Sequence, residues 1–218
     1  MSFYYFPSDF VYWDRVPEHS KYKDKFFPII QKMLKLVTDN HPFYSSKFST
    51  GFGKNEYNAF LLDKNFLNDV IFKAIFNMAE SHNKKNIFPI NFSSMYVKDI
   101  WWNFYQKGEY QEPHTHPGPE EKNNGRTFVP AFSVVYVLKD ENKDSRIIFH
   151  GNRLLPFFAE NVNFDTSKLT TNQESDAMKP MCEGTIMVFP SSLAHMVKPS
   201  LESGRITIAA NIYADIGA

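Results

Sequence analysis

Cysteine is nearly absent from this chain. The 218 residues contain one cysteine, Cys182. A single thiol cannot form a disulfide within the chain, and a cysteine-based zinc cluster would lack its ligands. A chain of this length is expected to form one domain, residues 1–218, around a full hydrophobic core.

Net charge, long apolar runs and a leader-like segment are lacking as well. The 24 basic and 24 acidic side chains cancel, which argues against a generic binder of nucleic acid or another polyanion. No run of 18 apolar residues is present, so no membrane span is expected. The stretch MSFYYFPSDF does not have the basic and apolar parts of a secretory signal. We therefore expect a cytoplasmic protein with no nucleic-acid or membrane partner. The oligomeric state stays open, with a homodimer as one option.

Aromatic residues are abundant, at 17% of the chain, and they are spread along it, which favours a role in the core. The first 90 residues have the pattern of helices. Apolar residues recur at helical spacing from Lys21 to Asn40 and from Asp63 to His82, with Asp63 a suitable N-cap. Between these segments the glycines of FSTGFGKNEYN indicate a loop. No P-loop lysine and serine follow them, so a structural role is favoured over phosphate binding.

The second half of the chain has the pattern of strands separated by turns. The segments are SSMYVKDIWWNFYQKG, FVPAFSVVYVLK, RIIFH, GTIMVFP and RITIAANIY. Short strands after helices predict an α+β protein, a double-stranded β-helix (jelly roll) in residues 91–218 braced by helices in residues 1–90. Pro130 limits central pairing of its strand, and FSVVYV has no polar face, so we expect both of its faces to be covered.

Two connections stand out in this half. The charged, asparagine-containing ENKDS predicts a hairpin turn. The segment from Asn152 to Glu183 is long and polar, and a loop of that length in a compact domain is usually functional or mobile.

Two histidines, His114 and His116, lie one residue apart in YQEPHTHPGPE. On an extended segment, residues i and i+2 point to the same side, so both imidazoles are expected to face one point. Two neutral imidazoles at such a point are a start for a transition-metal site, although exposed loop histidines give the same pattern.

A third histidine and an arginine follow later in the chain. His195 comes after the strand GTIMVFP, and Arg205 opens the strand RITIAANIY. On that strand Arg205, Thr207 and Asn211 share one face, and the isoleucines share the other. An arginine facing a closed cavity needs an anion, because it stays charged and its fork matches a carboxylate.

The order and spacing of these pieces resemble the iron(II)- and 2-oxoglutarate-dependent oxygenases, near the prolyl-hydroxylase-like members and small oxygenases of bacteria and phages. That family shows a His-x-Asp motif, a strand, a distal histidine, and an Arg-x-Ser or Arg-x-Thr about ten residues later. The resemblance covers roughly residues 93–213. It implies iron bound by His114 and His195, with Arg205 and Thr207 on the distal carboxylate of 2-oxoglutarate, and His116 beside His114 is the candidate for the third iron ligand. It also implies that Tyr105 or Tyr110 donates a hydrogen bond to the same co-substrate.

One departure from the family pattern concerns His116, which stands where the family has a carboxylate. Three neutral imidazoles leave the iron core with one extra positive charge, which a dry cavity must compensate. We therefore expect either a nearby glutamate or a His116 that turns away. Glu112 is the first choice, as metal ligand or orienting group, ahead of Glu120 and Glu121. Among the other histidines, His150 is expected to be structural, whereas His19, His41 and His82 are expected at the surface.

Three functions remain open from these residues. The first is a 2-oxoglutarate-dependent hydroxylase that acts on a peptide or small molecule, with peptidyl proline suggested by the resemblance alone. Its substrate would enter between PGPEEKNNGR and the segment after RIIFHGNR. The second is a three-histidine cupin-type metalloenzyme that does not use 2-oxoglutarate, which Arg205 and Thr207 speak against. The third is a non-catalytic jelly-roll binding module, which has no need of three converging histidines.

Overall fold

The computed structural model describes residues 10–37, 48–85, 89–141, 147–150, 163–165 and 182–215. The helices lie in the first part of the chain. They are α1 (His19–Leu34), α2 (Asn55–Asn58), a 3-10 turn (Ala59–Leu62), α3 (Lys64–Phe66), a π-helical turn (Leu67–Phe72) and α4 (Lys73–Lys85).

Both predicted helices are present, with different bounds. The first begins at His19 and ends at Leu34, before the predicted Asn40, which lies outside the described residues. The second is continuous from α3 through the π turn to α4. Its predicted cap is confirmed, because the Asp63 carboxylate accepts a hydrogen bond from the Phe66 backbone N–H at 2.9 Å.

The strands form two antiparallel sheets. Their bounds are β1 (Tyr12–Arg15), β2 (Ser49–Thr50), β3 (Ser94–Tyr105), β4 (Gln111–His114), β5 (Glu121–Asn123), β6 (Arg126–Lys139), β7 (Ile147–His150), β8 (Asn163–Asp165), β9 (Thr185–Pro190), β10 (Ala194–Val197) and β11 (Arg205–Asp215). The larger sheet has the order β1-β9-β6-β11-β3-β2, with β5 beside β6, and the smaller has the order β4-β10-β7-β8. Two facing sheets with this crossed order form the predicted jelly roll.

Strand alternation divides the larger sheet between two cores. On β11, Ile206, Ile208 and Ile212 face the helices and are fully buried there with Phe26 of α1. The intervening Ala209 faces the space between the sheets, where it meets residues of the smaller sheet. The period of two predicted for this strand is confirmed, and both faces of FSVVYV are covered, as expected. Arg205, Thr207 and Asn211 thus lie on the face of the larger sheet that points toward the smaller sheet.

The predicted hairpin turn at ENKDS is wrong. ENKDS does not close a hairpin, because β6 belongs to the larger sheet and β7 to the smaller, where β7 pairs with β10 and β8. A polar, turn-like segment signals a change of direction, but it does not tell which sheet the chain enters next. Residues 142–146 of this connection and most of the segment from Asn152 to Glu183 lie outside the described residues.

The segment FSTGFGKNEYN is not only a loop. It contains β2, which pairs with β3, and it runs into α2. Gly51 is required by close packing, since a Cβ there would lie 2.4 Å from Oδ1 of Asn58. The first 90 residues therefore provide two strands of the larger sheet, β1 and β2, in addition to helices.

His19 is not a surface residue. Its Nδ1 lies 2.6 Å from the hydroxyl of the buried Tyr136, and its Nε2 lies 3.1 Å from Oε1 of Glu183. Lys23 and the backbone N–H of Asp140 also donate to Glu183. This network joins α1 to the larger sheet. His82 is partly buried against Phe10, and His41 lies outside the described residues.

Candidate metal centre and co-substrate cavity

Three histidines meet on the smaller sheet and at its edge. His114 and His195 are directly paired across β4 and β10, with ring centroids 4.3 Å apart. His116 follows two residues later, where its backbone N–H donates to the Ser191 carbonyl at 2.9 Å. Its ring centroid lies 5.1 Å from each of the other two rings. The potential ligand atoms of the three side chains lie within 4.8 Å of one another, so His116 does not turn away.

Each imidazole is held by a hydrogen bond at Nδ1. The acceptor for His114 is the Glu112 carbonyl at 2.8 Å, and the acceptor for His195 is the Leu193 carbonyl at 3.0 Å. The acceptor for His116 is Oδ1 of Asn211 at 2.7 Å. Because an oxygen of this kind can only accept, each Nδ1 must carry the proton and each Nε2 has a lone pair, and the lone pair of His114 accepts a hydrogen bond from Nε2 of Gln111 at 3.2 Å.

This arrangement fits a transition-metal ion. Nε2 of His116 and Nε2 of His195 are 3.3 Å apart. Two imidazole nitrogens bound at right angles to one ion, each at about 2.1 Å, would be about 3.0 Å apart. Without a proton between them, the two lone pairs repel each other, and a cation at their meeting point removes that repulsion. Three imidazoles of the same tautomer are a donor set that suits iron(II).

The three histidines are neutral in this environment. Burial lowers the pKa of His116 to about 4, with the neighbouring His114 adding to the shift and the bond to Asn211 opposing it. Burial also lowers the pKa of His114, and it holds that of His195 well below its ordinary value. Neutral imidazoles are the form that binds a metal.

A buried arginine lies in the same cavity. Arg205 is 3% exposed, and among the described residues none of its three guanidinium nitrogens has a hydrogen-bond partner. Nε lies 3.9 Å from Oδ2 of the buried Asp140, which is close enough for an ion pair but too far for a hydrogen bond. A guanidinium cannot lose its charge, and it binds a carboxylate through two parallel hydrogen bonds. This end of the cavity thus presents guanidinium donors that are free to bind a carboxylate.

The cavity between the sheets joins this arginine to the histidines. Its lining includes Trp101, Asn103, Tyr105, Gln111, His114, His116, Ser133, Val135, Ile147, His195, Val197, Arg205, Thr207 and Ala209. Thr207 is buried, and its Oγ1 lies 3.4 Å from Nδ2 of Asn103. The row of Arg205 and Thr207 on β11 therefore faces the three histidines across the space between the sheets.

The two candidate tyrosines differ in position. Tyr105 lines the cavity, and its ring lies 5.4 Å from the Arg205 guanidinium carbon. Burial raises the pKa of Tyr105 to about 12, so its hydroxyl stays a neutral donor. That hydroxyl donates to Oε1 of Gln111 at 3.2 Å, and Nε2 of Gln111 lies 3.2 Å from Nε2 of His114. Tyr110 is not among the described residues that line the cavity.

The glutamates stay out of the centre. Among the described residues, the potential metal-ligand group consists of the three histidines, without Glu112, Glu120 or Glu121. Glu121 instead binds Lys98 and Tyr96. Glu112 acts at longer range, since its charge opposes the effect of burial on the pKa of His114. His150 lies at the end of β7, outside the cavity lining.

A more open groove adjoins the histidines. It is lined by Phe48, Thr50, Phe52, Trp101, Gln111, His114, Thr115, His116, Pro117 and Asn211. Phe52 stands edge-on to Trp101, with centroids 4.9 Å apart, and Trp101 stacks on His116 at 5.7 Å. Of the expected entrance segment PGPEEKNNGR, Pro117 lines this groove, whereas β5 forms a hairpin with β6.

Sequence reasoning did not find four neighbours of the centre: Asn211, Gln111, Asp140 and Trp101. Asn211 was placed on the face of Arg205, but its bond to His116 joins positions 95 residues apart. Gln111 contacts His114 from three residues earlier on the same strand, but a glutamine at that spacing is not a distinctive signal, whereas the contacts of Trp101 and Asp140 depend on how the strands pair.

A family model described as "Putative 2OG-Fe(II) oxygenase" matches residues 99–211, just over half of the 218-residue chain. The chain belongs to this family, and it is an oxygenase that uses iron(II) and 2-oxoglutarate. This assignment favours the first of the three functions over the cupin-type enzyme and the binding module.

Several solved structures share the fold. A prolyl-4-hydroxylase from Pseudomonas putida is 11% identical, with a TM-score of 0.50 over 95% of this chain and 92% of its own. The alpha-ketoglutarate-dependent carbocyclase SnoK of nogalamycin biosynthesis is 8% identical, with a TM-score of 0.62 over 95% and 80%. HygX from Streptomyces hygroscopicus, solved with nickel and 2-oxoglutarate, is 11% identical, with a TM-score of 0.51 over 95% and 83%. No curated protein matches the chain. Among the described residues, no helix is long and apolar enough to cross a bilayer.

Proposed function

We propose that this oxygenase is a hydroxylase in which His114, His116 and His195 bind the iron, and Arg205 and Thr207 bind the distal carboxylate of 2-oxoglutarate. One observation carries the proposal. Three Nε2 lone pairs converge in a cavity whose other end holds a buried guanidinium with no hydrogen-bond partner among the described residues. We also propose that residues 1–218 act as one domain, since β1 and β2 complete the larger sheet.

The protein groups have separate tasks in this proposal. The histidines hold the metal on one side and leave its other side open to the cavity. Arg205 orients 2-oxoglutarate by its far carboxylate, and Tyr105, through Gln111, positions a hydrogen-bond donor between the two ends. When bound, iron and 2-oxoglutarate supply the oxidation, which converts 2-oxoglutarate and oxygen to succinate and carbon dioxide and adds one oxygen atom to the substrate.

We infer that the substrate is a peptide or small molecule that presents an uncharged group to the metal. Among the described residues, no aspartate, glutamate, lysine or arginine lines the open groove beside His114 and His116, and both histidines are neutral. A charged substrate group would lose its hydration there without gaining a partner. The apolar wall of Phe48, Phe52 and Trp101 suits an apolar ring, and peptidyl proline is one such group.

The proposal is tested by measuring succinate formed in the presence of iron(II), 2-oxoglutarate and oxygen, with proline-containing peptides and neutral small molecules as substrates. Succinate should increase with an accepted substrate and fall to background in His195→Ala. The matched control is His82→Ala, which changes a histidine that lines neither the cavity nor the groove and should leave the rate unchanged. Equal succinate formation by wild type and His195→Ala would refute the assignment.

A further inference from the structure

The three histidines are oriented by two different kinds of acceptor. His114 and His195 each donate from Nδ1 to the carbonyl two residues earlier, in Glu112 and Leu193. The acceptors of these two bonds are backbone carbonyls, so the bonds do not depend on the side chains of Glu112 and Leu193. His116 alone depends on a side chain from another strand, Asn211 of β11.

The orientation of the Asn211 amide is itself fixed. Its Oδ1 accepts from His116 at 2.7 Å, and its Nδ2 lies 3.4 Å from Oδ2 of Asp99 on the paired strand β3. A carboxylate can only accept a hydrogen bond, so the NH2 group must face Asp99 and the carbonyl must face His116. Asp99 therefore fixes the orientation of the Asn211 amide, and the amide carbonyl fixes the tautomer of the His116 imidazole.

The other tautomer of His116 would block the centre. With the proton on Nε2, His116 would donate it to the lone pair of His195, because the two Nε2 atoms are already 3.3 Å apart. One hydrogen bond would then occupy two of the three nitrogens that face the centre. The backbone bond to Ser191 and the stacking of Trp101 on the ring at an interplanar angle of 20° restrain the position and tilt of His116 but not its tautomer.

We propose that Asn211 is the positioning residue of this centre, which holds His116 in the tautomer with a free Nε2 and prevents a hydrogen bond between His116 and His195. The role rests on the proposed function, because the free Nε2 matters only if the histidines bind a metal. A side chain on the larger sheet, Asn211, thus controls a metal ligand at the edge of the smaller sheet, His116.

The first measurement needs no metal. Nitrogen-15 NMR of the histidine rings distinguishes the tautomers of His116 in the metal-free protein. In wild type, Nδ1 should be protonated and Nε2 free, and in Asn211→Leu the proton should move to Nε2. An unchanged His116 tautomer in Asn211→Leu would overturn the proposal.

The second measurement is metal affinity. Anaerobic titration with Fe²⁺, and separately with Co²⁺, should give roughly 10- to 100-fold weaker binding in Asn211→Leu, the usual effect of losing a group that orients a histidine ligand. Asn211→Asp restores an acceptor, and it is combined with Asp99→Asn to avoid two adjacent carboxylates. This pair should bind at least as tightly as wild type, with Asp99→Asn alone as its control.

The outcomes distinguish a failure of the Asn211 proposal from a failure of the proposed metal site. Wild-type affinity in Asn211→Leu, or equal losses in the leucine and aspartate variants of folded protein, would overturn the role of Asn211. If wild type binds neither Fe²⁺ nor Co²⁺, the proposed metal site fails, while the tautomer measurement still decides what Asn211 does. If Asn211→Leu does not fold, the aspartate pair carries the test, and weak binding in that pair would count against the role.

Discussion

Replacing Arg205 with methionine tests the co-substrate end of the cavity. The side chain is 3% exposed, and its three nitrogens have no hydrogen-bond partner among the described residues. We therefore expect it to contribute at least one hydrogen bond to a charged group, worth about 1.5–3 kcal/mol. The dissociation constant of 2-oxoglutarate should then rise about 10- to 150-fold in Arg205→Met.

The assay is calorimetric titration of 2-oxoglutarate into anaerobic, iron(II)-loaded protein. Pyruvate is the matched ligand, because it has the 2-oxo acid group but no distal carboxylate, and its affinity should hardly differ between wild type and Arg205→Met. Thermal unfolding of the cofactor-free proteins controls for the fold. The reasoning is refuted if 2-oxoglutarate binds both proteins equally, or if the affinity for pyruvate falls as much as that for 2-oxoglutarate.

Four further perturbations have defined outcomes. His116→Asp should preserve or improve iron binding in an iron titration, because an anionic ligand offsets the charge of the metal; loss of iron would instead indicate a centre built for three histidines. Tyr105→Phe should raise the KM for 2-oxoglutarate by about 2- to 10-fold, the effect of one neutral hydrogen bond, and an unchanged KM would remove Tyr105 from the site. Burial raises the pKa of Glu183, but the bonds from Lys23, the Asp140 backbone and His19 outweigh it and lower that pKa. The charged Glu183 therefore stabilises the fold fully above its ordinary pKa of 4.5, and this stabilisation is lost as the pH falls through the lowered pKa of the folded protein. In Glu183→Gln, the thermal midpoint should therefore depend less on pH in the acidic range. Removal of iron with a chelator should abolish succinate formation, and added iron should restore it; persistence without metal would contradict the function.

The local features of the fold were predictable because they depend on neighbouring residues. Alternation on RITIAANIY separated its isoleucine face from its polar face, and the spacing of two placed His114 and His116 on one side. The cap at Asp63 followed from its position ahead of an apolar helical pattern. In each case the relevant partner lies within a few residues, where backbone geometry alone sets the direction of the side chain.

The long-range features were not predictable in the same way. The bond from His116 to Asn211, the bond between His19 and Tyr136, and the placement of β7 in the smaller sheet all depend on which elements pack side by side. A single sequence shows which faces are apolar, but it does not show which faces meet. His19 illustrates the error, because a polar residue at a helix start usually faces water, whereas here the helix end packs onto the sheet.

Because the proposed site is divided between the two sheets, binding of the cofactors would affect the stability of the fold. His114 and His195 belong to the smaller sheet, whereas Arg205 and Thr207 belong to the larger one. One molecule of 2-oxoglutarate, held by the metal at one end and by the arginine at the other, would act as a reversible crosslink between the two sheets. Its binding would oppose any motion that separates them, and the resistance of the protein to heat and to proteases would rise with the concentrations of iron and 2-oxoglutarate together. In a cell, the lifetime of the protein would then follow the supply of its co-substrate.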